Sequence, residues 1–210
     1  MKSAVQLFSI LILALAALGQ YTTAKTGGGG AFKFQGLSTD TFFSSTDPTG
    51  CMNTDVSLFA SEQIIRNQPG QGTASSGLTL FIHQYNICTN QQLLAGSGFV
   101  PLSDTALQIS GNLDSAVLNA TANVIDEVSG SPFDVSLALA WRGTSSLGHQ
   151  TAQLQYSFGG CKTKSHSDGA FRYAEAAGSV TINQVNLTPA PSVSSTLFSG
   201  KSGTVEIGCS

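Results

Sequence analysis

The chain has 210 residues, nine basic and twelve acidic side chains, a formal net charge of −3 and only 10% charged residues. Nucleic acids and anionic membranes are bound through clustered Lys and Arg, and this sparse, slightly acidic composition argues against both as partners. The length suits one domain whose core removes about 70% of the unfolded chain's surface from water.

The N-terminus has the pattern of a signal peptide over residues 1–24. Lys2 supplies the positive charge, Val5 to Leu18 is an almost unbroken apolar stretch, and cleavage is expected after Gly19 or Ala24. The stretch is shorter than the roughly 20 residues that a membrane-spanning helix needs. We therefore expect a secreted, extracellular protein, periplasmic in a host with an outer membrane, with no membrane span in the mature chain.

Residues 25–31 follow as a flexible, Gly-rich lead, and a single domain is expected over residues 32–210. Within it, apolar residues recur at every second position, which is typical of strands with one buried face. The predicted strands are, in chain order, 56–60, 78–82, 115–125, 135–141 and 152–158, with shorter ones near 171–174, 180–185 and 204–207. On this pattern Trp141, the only Trp, is a core residue near a strand end.

Turn signals rich in Gly and Pro separate these segments, for example at residues 47–50, 68–72 and 129–132. The long helical crossovers that parallel strands require are missing from the pattern. The sequence therefore predicts an all-β, antiparallel two-sheet β-sandwich, with a closed antiparallel β-barrel as the alternative.

Four cysteines, Cys51, Cys88, Cys161 and Cys209, predict two disulfides in an exported chain. Three connectivities are possible. We favour Cys51–Cys88, because Cys51 opens one strand pattern and Cys88 closes the next, and by the same reasoning Cys161–Cys209. The spacings do not resemble a zinc site.

Aromatic residues offer the best binding hypothesis. Phe81, His83 and Tyr85 share one face of a predicted strand, and such a stripe can stack on a sugar or a peptide. The structural alternative is that Phe81 and Tyr85 cover a second core or an edge.

Catalytic candidates are few. Ser165-His166-Ser167-Asp168 holds the residue types of a hydrolase, so His166 and Asp168 are the residues to test if the protein is an enzyme. We expect this tetrapeptide to be a solvated loop, since neighbours in a loop do not form a catalytic relay among themselves. Asp126 and Glu127 are expected to end a strand in solvent.

Neither a metal site nor a cofactor is predicted. Calcium binding by Asp40, Asp47 and Asp55 has the right ligand type, but the spacing matches no recognised loop. Two N-glycosylation motifs occur, Asn119-Ala-Thr121 and Asn186-Leu-Thr188, with Asn119 on the expected wet face.

These observations favour a non-catalytic extracellular binding or surface-layer module, with carbohydrate or protein as the ligand class. A secreted hydrolase is the alternative. A small-molecule carrier is a third, if the strands close into a barrel with an apolar mouth.

Overall fold

The computed structural model describes residues 30–68, 71–158, 161–187 and 193–209, and within these ranges the chain is all-β. The predicted signal peptide and most of the predicted lead lie outside the described residues. The strands are β1 Gly30–Thr46, β2 Met52–Gln68, β3 Gln71–Asn86, β4 Gln91–Pro101, β5 Leu107–Ile109, β6 Ser115–Asp126, β7 Pro132–Gly143, β8 Gly148–Phe158, β9 Cys161–Ile182, β10 Val185–Leu187 and β11 Val193–Cys209.

All strand pairs are antiparallel. Strands β1 to β4 pair in chain order, β4 pairs β6, β6 pairs β7, and β7 pairs β9. Strand β9 then pairs β11, which pairs β1, so that the pairings form a closed circuit of eight strands. The shortest pairing in the circuit is between β4 and β6, where Gly96 lies opposite Asp126 and Ser97 opposite Ile125. Strand β5 adds to β6, while β8 and β10 add to β9.

The core lies on the inner face of this sheet and follows the predicted alternation. On β7 the apolar set of Val135, Leu137, Leu139 and Trp141 is buried, and the residues between them are exposed. Strand β6 repeats this pattern. The largest side chains that are less than 2% exposed are Trp141, Leu78, Leu80, Ile82, Leu107, Leu113, Leu118, Leu139, Leu197, Val56, Val124 and Val135. Their burial is the main favourable contribution to folding, at about 1.5–3 kcal/mol for each large side chain.

The predicted disulfide Cys51–Cys88 is confirmed, with a Cα–Cα distance of 5.2 Å. It joins the start of β2 to the turn after β3. Beside it, Asp47 organises the β1–β2 turn, because its Oδ1 accepts the N–H groups of Cys51 and Met52 and its Oδ2 accepts the Thr49 hydroxyl. These bonds, that of Met52 first, lower the pKa of Asp47.

Two local predictions are wrong. The first concerns residues 165–168, which belong to the 22-residue strand β9 and not to a loop. Their sequence is polar on both faces and so carries no apolar alternation. The segment is extended because β8 pairs with one of its edges and β11 with the other. The predicted short strand near 171–174 is part of this same strand. The one predicted near 180–185 is divided by a turn at residues 183–184, so that its first part belongs to β9 and its end to β10.

The second concerns Asp126, which is buried and not solvated. Its carboxylate accepts hydrogen bonds from the Ser129 hydroxyl and from the N–H groups of Ala95, Val128 and Ser129. The Ser129 hydroxyl, followed by the Ala95 N–H, lowers the pKa of Asp126 to about 2. The carboxylate thus fixes the β6–β7 turn to β4, the strand whose pairing with β6 is the shortest in the circuit.

Candidate binding face

The outer face of β3 carries the three residues that the sequence singles out. Phe81, His83 and Tyr85 point away from the core because Leu80 and Ile82, at alternate positions of the same strand, are buried in it. The Phe81 side chain is 43% exposed, His83 is exposed and Tyr85 is half-exposed. The structure therefore brings all three to one solvent-facing side of the sheet.

Strand register adds a phenylalanine from each neighbouring strand. Ser57 of β2 lies opposite both Phe42 of β1 and Phe81. Thr79 of β3 lies opposite both Phe59 of β2 and Phe99 of β4. The four phenylalanines are consequently diagonal neighbours, roughly 7–8 Å apart from strand to strand. We call Phe42, Phe59, Phe81 and Phe99 the aromatic face.

Three of the four rings meet solvent. Phe42 is 57% exposed and Phe99 51% exposed, whereas Phe59 is only 5% exposed. Ser38 and Ser61, on the same outer side, are also buried. Phe59 is therefore packed against its neighbours on the outer side, whereas Phe42 and Phe81 remain accessible to solvent.

Gly77 explains how Phe99 is held. A Cβ atom at position 77 would collide with the Phe99 ring, so the ring lies directly on the glycine backbone of β3. An aromatic ring that covers a glycine on the neighbouring strand protects exposed backbone and fixes the ring. Phe99 therefore has one packed side and one side turned to solvent.

Hydroxyl groups separate the rings. Ser57 lies between Phe42 and Phe81, and Ser97 of β4 lies between Phe81 and the 53% exposed Ile125 of β6. The Ser97 hydroxyl donates to Oε1 of Glu127 at 2.9 Å. Apolar and hydroxyl side chains thus alternate across the outer side of β1, β2, β3, β4 and β6.

A polar cluster borders the aromatic face and consists of Asn53, Asp55, His83 and Tyr85. Nδ1 of His83 and the Tyr85 hydroxyl share a hydrogen bond of 3.0 Å, and Asp55 lies opposite His83 in the register. Nδ2 of Asn53 donates to Oδ1 of Asp55 at 2.9 Å.

The Asn53 amide is held in place by β1. Its Oδ1 accepts the hydroxyl groups of Ser44 and Thr46, both at 3.0 Å. With its Nδ2 bonded to Asp55, the amide has a fixed orientation. The cluster therefore presents oriented polar groups beside the apolar rings.

The hydrolase candidates lie elsewhere. His166 and Asp168 share one face of β9, and Oδ1 of Asp168 accepts the Thr151 hydroxyl at 3.2 Å. Ser165 and Ser167 belong to the opposite face of the strand, because side chains alternate along it. This tetrapeptide therefore does not assemble a Ser–His–Asp relay from its own residues.

The three calcium candidates are each engaged separately. Oδ1 of Asp40 accepts the Thr196 N–H at 2.8 Å, Asp47 caps its turn, and Asp55 is bonded to Asn53. Among the described residues, no group of three or more His, Cys, Asp or Glu could hold a metal ion. No helix in the described ranges is long and apolar enough to cross a membrane.

Phe42 and Phe99 were missed by the sequence reasoning. The pair Phe42-Phe43 held a signal, since adjacent strand residues face opposite sides and one ring of two must point outward. Phe99 had no comparable local signal.

Comparison of the chain with protein-family models, with curated proteins and with solved structures finds no match.

Proposed function

We propose that this protein is a secreted, non-catalytic binding module whose aromatic face binds a neutral polysaccharide. The observation that carries the proposal is the accessibility of Phe42, Phe81 and Phe99, separated by serine hydroxyls and bordered by the polar cluster. A solvent-facing group of large apolar residues with a polar rim is typical of an interaction surface.

The chemistry of the face suits sugars. A sugar ring has apolar C–H faces that pack on aromatic rings, and hydroxyl groups that need hydrogen-bond partners. Phe42 and Phe81 lie two strands apart, about 10 Å, because neighbouring strands are about 4.8 Å apart. That spacing is close to the repeat of two sugar units in an extended β-linked chain, so one chain can contact both rings.

Charge supports the same ligand class. The four rings of the aromatic face are uncharged, and the ionisable groups beside it are few: Asp40 opposite Phe59, Asp55, His83 and Glu127. A highly charged ligand would find no complementary charge on the rings, whereas a neutral glycan needs none.

Binding to insoluble and soluble polysaccharides tests the proposal. We expect the protein to bind at least one of cellulose, chitin and xylan. Binding to insoluble cellulose or chitin should deplete it from solution, and binding to soluble xylan should slow its migration in affinity electrophoresis. The double variant Phe42→Ala/Phe81→Ala should bind about tenfold more weakly or worse. Both rings are exposed, so the core should remain intact.

Val185→Ser serves as the matched control, because Val185 is 52% exposed on β10 and outside the aromatic face. It should bind like the wild type. Binding of the double variant at wild-type strength would exclude the aromatic face, and binding to an extracellular protein but to no polysaccharide would exclude the ligand class.

Export into an oxidising compartment is part of this proposal, supported by the Cys51–Cys88 disulfide. We also propose the second disulfide. Cys161 and Cys209 lie opposite each other in the β9–β11 register, although their side chains are outside the described part. Opposite antiparallel residues have Cα atoms about 4.5–5.5 Å apart, which a disulfide can bridge. Full reduction should add four hydrogen atoms to the intact mass, and two would contradict the second bridge.

The strand circuit supports the closed antiparallel β-barrel, the predicted alternative to a two-sheet sandwich. A carrier would need space inside it. Large side chains such as Trp141, Leu80 and Leu118 occupy the interior, which argues against the carrier function. The hydrolase alternative, through His166 and Asp168, lacks a nucleophile on the same face of their own segment.

A further inference from the structure

The two N-glycosylation motifs lie far apart in the chain but in neighbouring parts of the fold. Asn119 is in β6 and Asn186 is in β10, and both side chains are exposed. Thr121 completes the first motif and is exposed as well. Thr188 completes the second motif and lies outside the described residues.

Strand register places both asparagines on one sheet surface. Thr121 lies opposite Ser136 of β7, Ser136 lies opposite Thr181 of β9, and Thr181 lies opposite Asn186. Because Asn119 is two residues from Thr121, it shares their face of the sheet. Three strand spacings, about 14 Å, separate β6 from β10.

Small side chains lie on the strands between the two asparagines. Ala138 lies opposite Asn119, and Ser136 and Ala140 are its neighbours on the outer face of β7; all three are exposed. Ser179 lies opposite Ala138 on β9. Exposed alanines in the middle of a sheet leave the first sugars of an attached glycan room to lie on the strands.

We propose that this surface, the outer face of β6, β7, β9 and β10, carries N-linked glycans on Asn119 and Asn186. The donor is a lipid-pyrophosphate-linked oligosaccharide of the secretory pathway. The asparagine Nδ2 forms a bond to the anomeric carbon, the bond from that carbon to the pyrophosphate oxygen breaks, and the amide loses one proton. No oxidant or reductant takes part.

The two glycans lie away from the aromatic face. Asn119 and Asn186 lie on strands other than β1 to β4, which carry the aromatic face. Bulky, solvating sugars on β6 and β10 leave Phe42 and Phe81 uncovered. The glycosylation proposal rests on the export proposed above, on the register and on the exposed motifs, but not on polysaccharide binding.

Secretion of the full chain from a yeast that glycosylates a co-secreted reporter motif tests the proposal. The intact mass should fall by two glycans on treatment with peptide-N-glycosidase. Asn119→Gln and Asn186→Gln should each lack one glycan, and the double variant should lack both. Thr121→Ala should remove the glycan from Asn119, whereas Thr121→Ser, which keeps the hydroxyl, should retain it.

Asn123→Gln is the matched control, since Asn123 is exposed on the same face of β6 outside any motif. Its glycan content should equal that of the wild type. A single unglycosylated mass beside a glycosylated reporter would overturn the proposal, and so would occupancy of only one of the two asparagines.

Discussion

The indole Nε1 of Trp141 donates a hydrogen bond of 2.6 Å to Oγ1 of Thr41, which ties β7 to β1 through the core. Thr41 donates its own proton to the Asp40 carbonyl at 2.7 Å. The Ser195 hydroxyl, 2.9 Å from Thr41 Oγ1, is therefore the donor in that pair, because Thr41 has only one proton to give. Thr41 thus satisfies two buried donors from two other strands.

Thr41→Val should destabilise the protein more than its size change suggests. Valine has nearly the same shape but accepts no hydrogen bond, so the Trp141 N–H and the Ser195 hydroxyl remain buried and unpaired. We expect a loss of about 2–3 kcal/mol in the free energy of unfolding. Urea unfolding followed by the fluorescence of Trp141, the only Trp in the chain, measures it directly.

Thr41→Ser is the control for this network. It keeps the hydroxyl and removes only a methyl group, so the loss should be about 1 kcal/mol. If valine is tolerated as well as serine, the hydrogen bonds to Thr41 contribute nothing to stability.

The hydrogen bonds to the Asp126 carboxylate should make the β6–β7 turn sensitive to acid. Its folded-state pKa of about 2 lies below the ordinary value of 3.8, so the folded state favours the ionised carboxylate. The resulting stabilisation is complete above about pH 5, declines below about pH 4 and is lost as the pH falls through 2. Urea unfolding between pH 7 and pH 2 should show this decline.

Asp126→Asn should be less stable than the wild type at pH 7 and should show a shallower loss of stability between about pH 4 and pH 2. Part of the slope should persist, because the pKa of Asp47 is also lowered. An unchanged slope in Asp126→Asn would show that its hydrogen bonds do not favour the charged form.

The fold was predictable where local pattern and burial agree. On β6 and β7, apolar residues at every second position define both the strand and its inner face, since one side of a sheet faces the core. The first half of β9 could not be predicted this way. Its Lys, Ser, His and Gly residues carry no apolar period, and the segment is extended because of partners distant in sequence.

The candidate binding face was likewise only partly predictable from local pattern. That Phe81, His83 and Tyr85 share a side of β3 follows from the two-residue period alone. The approach of Phe99 to Phe81 depends on the β3–β4 register, which includes a shift between Gln84 and Tyr85. A one-residue slip would move Phe99 to the inner face, and no local pattern fixes that register.

The Cys51–Cys88 disulfide should stabilise the protein chiefly by restricting the unfolded chain. The bridge closes a loop with a sequence separation of 37, for which the chain-entropy argument gives about 4 kcal/mol before strain. The double variant Cys51→Ser/Cys88→Ser should lose up to that amount in urea unfolding. The β2–β3 register should survive, because Ile87 N–H still donates to the Cys51 carbonyl.

Both cysteines must be replaced together in this experiment, since a single substitution leaves a free thiol that can exchange with other cysteines. Polysaccharide binding by the double variant checks that the aromatic face is retained. A variant as stable as the wild type would mean that the hairpin already restricts the unfolded chain as much as the bridge does.

Gly178 in β9 should tolerate no side chain, for two independent reasons. Its φ of +129° is a conformation that residues with a Cβ atom rarely adopt. A Cβ atom there would also collide with the carbonyl oxygen of Ala138 on β7, which is backbone and cannot rotate away. Relief of the clash requires β7 and β9 to separate beside Leu139, a buried core residue. We therefore expect Gly178→Ala to cost more than about 2 kcal/mol.

Gly111→Ala provides the comparison, because it makes the same chemical change where a Cβ atom would meet nothing within 4 Å. It should alter the free energy of unfolding by less than about 0.5 kcal/mol, and any gain would come from the reduced freedom of the unfolded chain. Urea unfolding of the two variants in parallel separates the effect of the site from that of the substitution. Equal stabilities would mean that β7 and β9 can move apart at Leu139 without loss of packing.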